Sequence, residues 1–590
     1  MKYPQLRVLE TSRQMVDTFK GYNHNLRIGD GEFFDMKNMT SDHYPVLSPR
    51  GNRGVYASPT SPNGLIAKDA LCYVDGTKFV INEYPVEMGL NDEPKQLISM
   101  GAYVIIMPDK KWINTMDTTE FGNIEAEVTT NAPVSFTLCR LDGTDYSSDI
   151  PRDEPSEPAN MDLWIDTSTE PHSLKQWSES ASMWVTIATT YIKISSAGIG
   201  TPFEKYDGIT ITGLKDAVLT DNTTGKAIED TSDLAALEGA AVVWEKGDDY
   251  IVVVGILDIT RTITEAVTVS RKMPVMDFVI ESENRLWGCR YGEAANGEVV
   301  NEIYASKLGD FKNWNCYMSL STDSYTASVG SDGPFTGAIT HLGYPLFFKE
   351  NCVHKVYGNY PANFQIQTTA CRGVQKGCDK SLAIVNETLF YKARNAVCAY
   401  DGSLPTEMSY VMGNEAYSKA VGGSHGNKYY ISMADKLGVY HLFVYDIAKG
   451  MWHKEDDLQV DCFCSCSGEM YAISNGQIVT MLGSGTKDTD AVEWMVQTGE
   501  IGISSPDMKY ISRLTVRMSM DIGSEVRFYA QYDFSDEWEH LFTMRGTNLR
   551  SFSLPIRPKR CDHMKLRIEG EGMVKIYSIT KTIEQGSELS

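Results

Sequence analysis

Short runs of alternating apolar and polar residues, separated by turn-forming residues, recur along this chain and predict antiparallel hairpins. In one of them, Asn475-Gly476 separates two apolar runs, and this pair is the residue combination most typical of a two-residue hairpin turn. Seven segments show the pattern: Leu71–Ile81, Ala102–Asn114, Arg285–Gly309, Tyr344–Gly358, Thr388–Gly402, Lys428–Asp446 and Glu469–Gly483. The pattern predicts an all-β protein.

The spacing of these hairpins indicates how the sheets are arranged. The last four begin at residues 344, 388, 428 and 469, which are 44, 40 and 41 residues apart. A repeat of about 40–50 residues with several strands per unit is typical of a β-propeller blade. The hairpin count predicts about seven blades, with six as an alternative. A plain antiparallel sandwich, in which the spacing is coincidental, is the competing architecture.

Changes in composition along the 590 residues divide the chain into several predicted domains, since one core cannot serve this length. The N-terminal stretch is rich in Gly, Asn, Asp and Pro, and the tail alternates apolar and polar residues as half-buried strands do. The predicted boundaries are an extended arm at 1–61, first blades at 62–119, an inserted β-rich domain at 120–270, remaining blades at 271–486 and a C-terminal β-sandwich at 487–590.

The net charge is −24, with 78 acidic and 54 basic residues, and argues against tight binding to nucleic acid. The densest basic spot is only Arg557-Pro558-Lys559-Arg560. Residues 1–19 have no apolar stretch of the kind found in signal peptides, and the longest apolar run, Tyr250–Leu257, is too short to span a membrane. We therefore expect a soluble protein made in a cytoplasm, with no membrane partner and with reduced cysteines.

Motifs that carry chemistry are scarce. There is no HExxH pattern and no complete phosphate-binding loop, and the carboxylates are too numerous for any pair to be nominated as a glycosidase dyad. We therefore nominate no catalytic, cofactor-binding or metal-binding residue, expect no cofactor, and predict that the protein is not an enzyme. Cys462, Cys464 and Cys466 share one face of a predicted strand, and buried thiols explain them better than a metal site.

Two local patterns resemble known blade features. The unit at 420–452 resembles a kelch blade, in which Gly422-Gly423 lets the inner strand approach the axis and aromatic residues such as Tyr429 fill the wedge between blades. The segment Ile303–Trp314 loosely resembles the Asp-box turn of sialidase-type propellers. Such a turn is structural, so Trp314 is interpreted as packing between blades, with a sugar platform as the alternative.

Longer strings resemble tail nozzle, or packaged-DNA stabilization, proteins of tailed bacteriophages. They are Phe19-Lys20-Gly21, Asp30-Gly31-Glu32, Asp35–Asn38, Leu47–Arg50, Asn284–Gly288, Asn301–Tyr304, Phe347–Glu350 and Gly377–Gly402. The resemblance implies a structural virion protein that is located in the tail after assembly in the host cytoplasm. It would form a homo-oligomeric ring, commonly of six copies, that contacts portal, adaptor and other tail proteins. Packaged DNA would pass through the lumen without sequence-specific binding.

The electrostatics are compatible with such a conduit, because an acidic wall would not trap a passing polyanion. The same charge is equally explained as a means of keeping an abundant protein soluble. The alternative function is a glycan-binding or glycan-cleaving β-propeller with an accessory sandwich module. That function needs either convergent carboxylates or an aromatic platform, for which the candidates are Trp164, Trp177, Trp184 and Trp287.

Overall fold

A computed structural model describes residues 11–585 except 132, 147–149, 216–218, 222–226, 229–231, 295–296, 484–485, 488–490, 504–507 and 534. Within these ranges the regular structure is almost entirely β-strand, which confirms the predicted all-β class. The helical segments of the described residues are short: the α-helix Ser232–Ala235 and the 3-10 helices Pro361–Asn363, Asp379–Ser381 and Tyr410–Met412.

Every predicted hairpin supplies the second and third strands of its own antiparallel sheet, and we number these sheets 1 to 7. Sheet 1 contains Pro62–Lys68, Ala70–Asp75, Lys78–Ile81 and Tyr84–Glu87; sheet 2, Gln96–Met100, Tyr103–Met107, Lys111–Asn114 and Phe121–Asn123; sheet 3, Phe278–Ser282, Arg285–Glu293, Val299–Ala305 and Tyr325–Ser328; sheet 4, Gly337–His341, Tyr344–Lys349, Cys352–Tyr357 and Gln365–Ala370; sheet 5, Ala383–Val385, Thr388–Ala393, Ala396–Tyr400 and Thr406–Glu407; sheet 6, Ser418–His425, Lys428–Ala434, Tyr440–Asp446 and Met451–Lys454; sheet 7, Cys462–Cys466, Glu469–Ser474, Gln477–Thr480, Gly54–Ala57 and Thr486–Lys487. The hairpins do not form two facing sheets, so the sandwich alternative is wrong for this part of the chain.

The first strands of the seven sheets lie side by side around a common axis. Each first strand contacts the first strand of the next sheet, except that between sheets 4 and 5 the contact is made by the 3-10 helix Asp379–Ser381. The first strand of sheet 7 contacts that of sheet 1, so the contacts return to their starting point. Neighbouring first strands are also joined by hydrogen bonds: the Gln96 side-chain amide donates to Val279 O at 2.6 Å and accepts from Val279 N at 3.3 Å. The architecture is therefore propeller-like.

A strand from the N-terminal segment completes sheet 7. Gly54–Ala57 pairs antiparallel with Gln477–Thr480. Immediately before this strand, the guanidinium of Arg53 lies 2.6 Å from Glu455 Oε2 and 2.5 Å from Asp456 Oδ2, and all three side chains are largely buried. A buried, bidentate pairing of this kind is specific in geometry as well as attractive. It fixes the N-terminal segment where sheet 7 requires it.

The glycines of sheet 6 show how closely the first strands approach one another. A Cβ atom on Gly422 would lie 2.5 Å from the carbonyl oxygen of Ser381, which belongs to the 3-10 helix before sheet 5. The same oxygen accepts a hydrogen bond of 2.8 Å from Tyr429 Oη, and the Tyr429 ring stacks on Phe390 with 5.0 Å between centroids. The predicted roles of Gly422 and Tyr429 are confirmed, since the glycine permits the approach and the aromatic ring fills the space between sheets.

The strands between sheets 2 and 3 form three further sheets around their own apolar core. They are a four-stranded sheet of Ala126–Thr129, Thr268–Arg271, Gly208–Thr212 and Gly239–Val242; a seven-stranded sheet of Ala227–Ile228, Leu219–Asp221, Arg261–Ile263, Val134–Cys139, Tyr191–Ser195, Tyr250–Val254 and Glu245–Gly247; and a three-stranded sheet of Leu163–Asp166, Ser173–Ser178 and Met183–Thr186. This inserted segment is joined to sheet 3 by a buried cluster in which Asn313 Nδ2 donates to Asp207 Oδ1 at 2.9 Å and Asp207 pairs with Arg271. Its independence as a domain remains a prediction.

The two ends of the chain share one nine-stranded sheet. Seven of its strands follow in the order Thr11–Val16, Val574–Gln585, Lys509–Tyr532, Met564–Glu571, Glu493–Thr498, Glu32–Lys37 and Gly21–Tyr22. The other two, Glu539–Ser553 and Arg560–Cys561, also pair with Lys509–Tyr532. Met39–Thr40 and Ser48–Pro49 form a separate small sheet. Both predictions for the termini need correction. The segment 1–61 is not simply an extended arm, and the C-terminal strands do not form a sandwich by themselves, because N-terminal strands pair within the same sheet.

Candidate functional site

A large concave feature of the described structure lies where the first strands of the sheets converge. It is a cavity of about 710 Å³, hereafter the axial cavity. Six of the sheets contribute strand residues to its wall, and the segment directly before sheet 5 contributes Asp379, Lys380 and Leu382. The strand residues include Leu65, Gln96, Phe278, Ala338, Gly422 and Phe463. The wall combines apolar side chains with several charged and polar ones, and a large cavity with polar groups that converge on it is a common form of small-molecule site. Its charged residues lie beside or just before the first strands of their sheets.

Asp379 is the most perturbed of the carboxylates that line the axial cavity. It is the first residue of the 3-10 helix before sheet 5 and is half-buried. Burial raises the pKa of its carboxyl above the ordinary value, and this effect outweighs the nearby positive charge of Lys380. Within the described part of the chain, no other residue donates a hydrogen bond to this carboxylate or forms an ion pair with it. Asp379 is therefore suited to hold a proton and to donate it.

Asp277 lies at the start of sheet 3 in a different environment. Its Oδ1 accepts a hydrogen bond of 2.7 Å from Arg290 Nη1, and its Oδ2 accepts one of 2.8 Å from the backbone N–H of Tyr291. Both contacts fix the orientation of this carboxylate. The Asp277 carboxylate is therefore held by two donors, whereas burial raises the pKa of the Asp379 carboxyl.

Asp461 is the third carboxylate in the wall and directly precedes sheet 7. It is exposed, and its backbone oxygen accepts a hydrogen bond of 3.1 Å from Lys380 Nζ. The other cation of the wall, Lys95, has a fully buried side chain that lies 2.5 Å from Asp109 Oδ2. Lys95 is paired with Asp109 in the same way as Asp277 is paired with Arg290, so among the described residues the charged groups of the wall without such a partner are Asp379, Asp461 and Lys380.

A second notable arrangement lies on the three-stranded sheet of the inserted segment. Trp164, Trp177 and Trp184 stand on one face of this sheet, each half-exposed. The ring centroids of Trp164 and Trp184 are 5.4 Å apart, and those of Trp177 and Trp184 are also 5.4 Å apart. Lys175 lies between them, with Nζ 4.9 Å from the centroid of Trp164 and 2.6 Å from Asp166 Oδ2. We call this arrangement the tryptophan face.

The aromatic residues considered from the sequence thus fall into two groups. Three of the four candidate platform residues meet on the tryptophan face. The fourth, Trp287, is 3% exposed and packs inside sheet 3 against Phe364, so its proposed place in a platform is wrong. Trp314 is 1% exposed and belongs to the core between sheets 2 and 3. Its interpretation as inter-blade packing is confirmed, and a sugar platform at this residue is wrong.

The three alternating cysteines of sheet 7 are free and partly buried, and they pack toward sheet 1. Burial raises the pKa of the Cys464 thiol to about 12, so this thiol stays protonated and is a poor metal ligand. In the ranges that the structure describes, no three His, Cys, Asp or Glu side chains are grouped as a metal site. No helix among the described residues is long and apolar enough to cross a membrane.

The axial carboxylates were missed in the sequence because nothing local marks them. Asp277, Asp379 and Asp461 are three among 78 acidic residues and are about 80–100 residues apart. A partial signal exists once the repeat is known: Asp277 and Asp461 each directly precede the first strand of a sheet, and Asp379 precedes one by four residues. The other sheets have no acidic residue directly before their first strand, so the repeat by itself does not single out these three.

Comparisons with known proteins return solved structures but no assigned family. No protein-family model matches the chain. No curated protein matches it either. Solved structures similar to it include an exo-beta-1,3-galactanase from Phanerochaete chrysosporium, with 8% identity, a TM-score of 0.21, and coverage of 51% of this chain and 94% of that one. A glycoside hydrolase family 43 arabinoxylan arabinofuranohydrolase from Bacillus subtilis has 6% identity, a TM-score of 0.18, and coverage of 51% and 94%. A Trypanosoma rangeli sialidase has 8% identity, a TM-score of 0.15, and coverage of 90% and 95%.

These results correct two expectations from the sequence. The similar structures include glycoside hydrolases, which goes against both the tail-nozzle function and the prediction that the protein is not an enzyme. Neither is carried forward. At TM-scores this low the likeness carries no argument about activity, so the function must be argued from the residues themselves. The expected ring of copies, its tail partners and its location in the virion are untested.

Proposed function

We propose that this protein is a glycan-active β-propeller that binds a sugar in its axial cavity and hydrolyses the adjoining glycosidic bond. The observation that carries the proposal is the contrast between two carboxylates of one cavity. Asp379 is unpartnered, with a pKa raised by burial, whereas Asp277 is held by Arg290 and a backbone N–H. Carboxylates whose environments separate their protonation behaviour are the usual basis of acid–base hydrolysis of glycosides.

Each carboxylate has a distinct role in this mechanism. Asp379 donates its proton to the glycosidic oxygen as the bond to the anomeric carbon breaks. Asp461, which is exposed and free to contact water, accepts a proton from the water that attacks the anomeric carbon. Asp277, held in place by Arg290 and the Tyr291 N–H, stabilises the positive charge that develops on the sugar ring. Oxygen and hydrogen from one water molecule complete the two products.

The charge balance of the axial cavity favours a neutral substrate. Asp277, Asp379 and Asp461 face it, and among its cations Lys95 is already paired with Asp109. With Asp277 paired to Arg290, the axial cavity offers a polyanion no excess of positive charge, whereas the hydroxyl groups of a neutral sugar would find the carboxylates of Asp379 and Asp461 as acceptors. The proposed substrates are therefore uncharged glycans.

We also propose that sheets 1 to 7 are seven blades of one propeller, in agreement with the hairpin count. The supporting observation is the circuit of contacts between first strands, which runs through all seven sheets and returns to sheet 1. A cavity lined by six sheets and by the segment directly before sheet 5 is what such a closed circuit produces on its axis.

The test is hydrolysis of neutral oligosaccharides by the full-length protein and by Asp379→Asn, Asp461→Asn and Asp277→Asn. Loss of a general acid or base typically costs about 10²–10⁴-fold in rate, so each variant should lose at least about a hundredfold. The matched control is Asp332→Asn, an exposed carboxylate outside the axial cavity, which should retain the parent rate. No hydrolysis across a broad panel, or full activity of Asp379→Asn, would refute the mechanism.

A further inference from the structure

We infer that the tryptophan face is a second glycan-binding surface, which holds a polymeric neutral glycan. This inference rests on the proposed function, because it assigns to the inserted segment the task of retaining the substrate polymer. The surface is separate from the axial cavity, since none of its three tryptophans lines that cavity. Its argument is independent of the carboxylates and depends on ring geometry, burial and charge.

The two faces of the three-stranded sheet differ in what they contact. Ile165 and Leu174 are almost completely buried and pack with Leu138 in a small core. The tryptophan face is the opposite one, as strand alternation requires. The indoles therefore lie outside the apolar core, formed with Ile165 and Leu174, that holds this sheet in place. Three large aromatic rings remain partly exposed together on the outer face of this sheet, and an apolar patch of this kind is a candidate binding surface.

The chemistry of the tryptophan face fits a sugar. Pyranose rings present C–H groups on one side, which pack on aromatic rings, and hydroxyl groups at their edge. Trp177 and Trp184 lie directly opposite each other on adjacent strands, with their rings inclined by 68°. The Trp164 ring is inclined by 59° to that of Trp184, so the three indoles present differently oriented faces and not one flat platform. Lys175 offers a donor at the centre of the tryptophan face, where Asp166 holds the ammonium group in place. Apolar rings with a few oriented polar groups are typical of ligand sites that need both contact and orientation.

The charge around the tryptophan face selects the class of glycan. Between residues 150 and 190 the chain carries seven carboxylates and only two basic side chains, Arg152 and Lys175. Asp166 already neutralises Lys175 at 2.6 Å. This segment therefore offers few cations to bind the phosphates or carboxylates of nucleic acids and polyuronates, whereas a neutral polysaccharide needs none. The occupant is therefore an uncharged glycan chain, as at the axial cavity.

The test is binding of insoluble and soluble neutral polysaccharides to the full-length Asp379→Asn protein, in which the proposed hydrolysis is disabled. Trp177→Ala should weaken binding about tenfold or more, which is the effect of losing one stacked ring. Because removal of an indole can disturb a small sheet, Trp177→Phe and Trp184→Phe are measured as well and should each weaken binding severalfold. Tyr410→Ala, an exposed aromatic residue outside the inserted segment, is the control and should bind as the parent does.

The outcomes separate this inference from the proposed function. Polymer binding that is unchanged in the folded tryptophan variants, or that favours a polyanion over neutral glycans, overturns the inference. Hydrolysis of a short soluble oligosaccharide by the protein with Asp379 intact reports on the axial cavity alone and should be the same in Trp177→Ala. If that hydrolysis is absent while the tryptophan variants lose polymer binding, the proposed hydrolysis fails and the second surface stands.

Discussion

Substitution of Gly422 by alanine tests how the narrow contact between sheets 5 and 6 supports the axial cavity. The added Cβ would lie 2.5 Å from Ser381 O and 2.9 Å from Tyr429 Oη. Cβ contacts shorter than 3.0 Å are essentially never found, so the 3-10 helix or the strand must move by at least about 0.5 Å, the difference between 3.0 and 2.5 Å. Overpacking of this kind costs about 1–3 kcal/mol. The movement also strains the hydrogen bond from Tyr429 Oη to Ser381 O.

The consequence reaches the proposed site because Ser381 and Asp379 belong to the same 3-10 helix. Gly422→Ala should therefore lower stability by about 1–3 kcal/mol, increase amide exchange in sheets 5 and 6, and reduce the hydrolysis rate. Urea unfolding and hydrogen–deuterium exchange measure the first two effects. The control is Gly330→Ala, which has open space around the new methyl group and should be neutral or slightly stabilising. Equal stability and activity of the two variants would refute the argument.

Two further predictions concern buried charge. Arg53→Met removes one buried partner of Glu455 and Asp456 and should therefore destabilise the protein by about 3–5 kcal/mol in urea unfolding. Amide exchange at Gly54–Ala57 should increase as well. The control is Arg372→Ala, which breaks an exposed ion pair and should cost no more than about 1 kcal/mol in the same titration. Burial lowers the pKa of His453 from 6.5 to about 3, so the folded protein keeps this ring neutral while the unfolded chain binds a proton. Stability should therefore fall as the pH decreases from about 6.5 to about 3, and His453→Gln should flatten this slope in thermal melts; an unchanged slope would rule out His453 as its source.

Features that depend on adjacent residues could be predicted from the sequence, whereas features that depend on residues far apart in the chain could not. Asn475 and Gly476 both adopt positive φ, at 50° and 74°, as their two-residue turn requires, and such turns could be located from adjacent residues alone. The pairing of Gly54–Ala57 with sheet 7 could not be predicted, because its partner strand is distant in sequence. A local pattern of four residues does not indicate which strand it will pair with. The same limit explains why N-terminal strands were not expected in the C-terminal sheet.

The candidate site divides in the same way. Tryptophan is rare and large, so Trp164, Trp177 and Trp184 could be singled out one by one, although only the structure showed that they meet and that Trp287 is buried. Asp379 could not be singled out, because its raised pKa results from burial by residues of several sheets. Side-chain identity can be taken from a sequence, whereas the environment that changes its chemistry comes from residues far along the chain.

The closure of sheet 7 by Gly54–Ala57 also sets the order in which the molecule can form. The partner strand Gln477–Thr480 begins 420 residues after Ala57, counted from residue 57 to residue 477. At about 5–20 residues per second, ribosomes need roughly 20–80 s to synthesise that interval. During this time the early strand has no partner, and its free backbone edge is open to wrong pairing. Closure must therefore be one of the last events of folding, and the nascent chain is exposed to aggregation until residue 480 has left the ribosome.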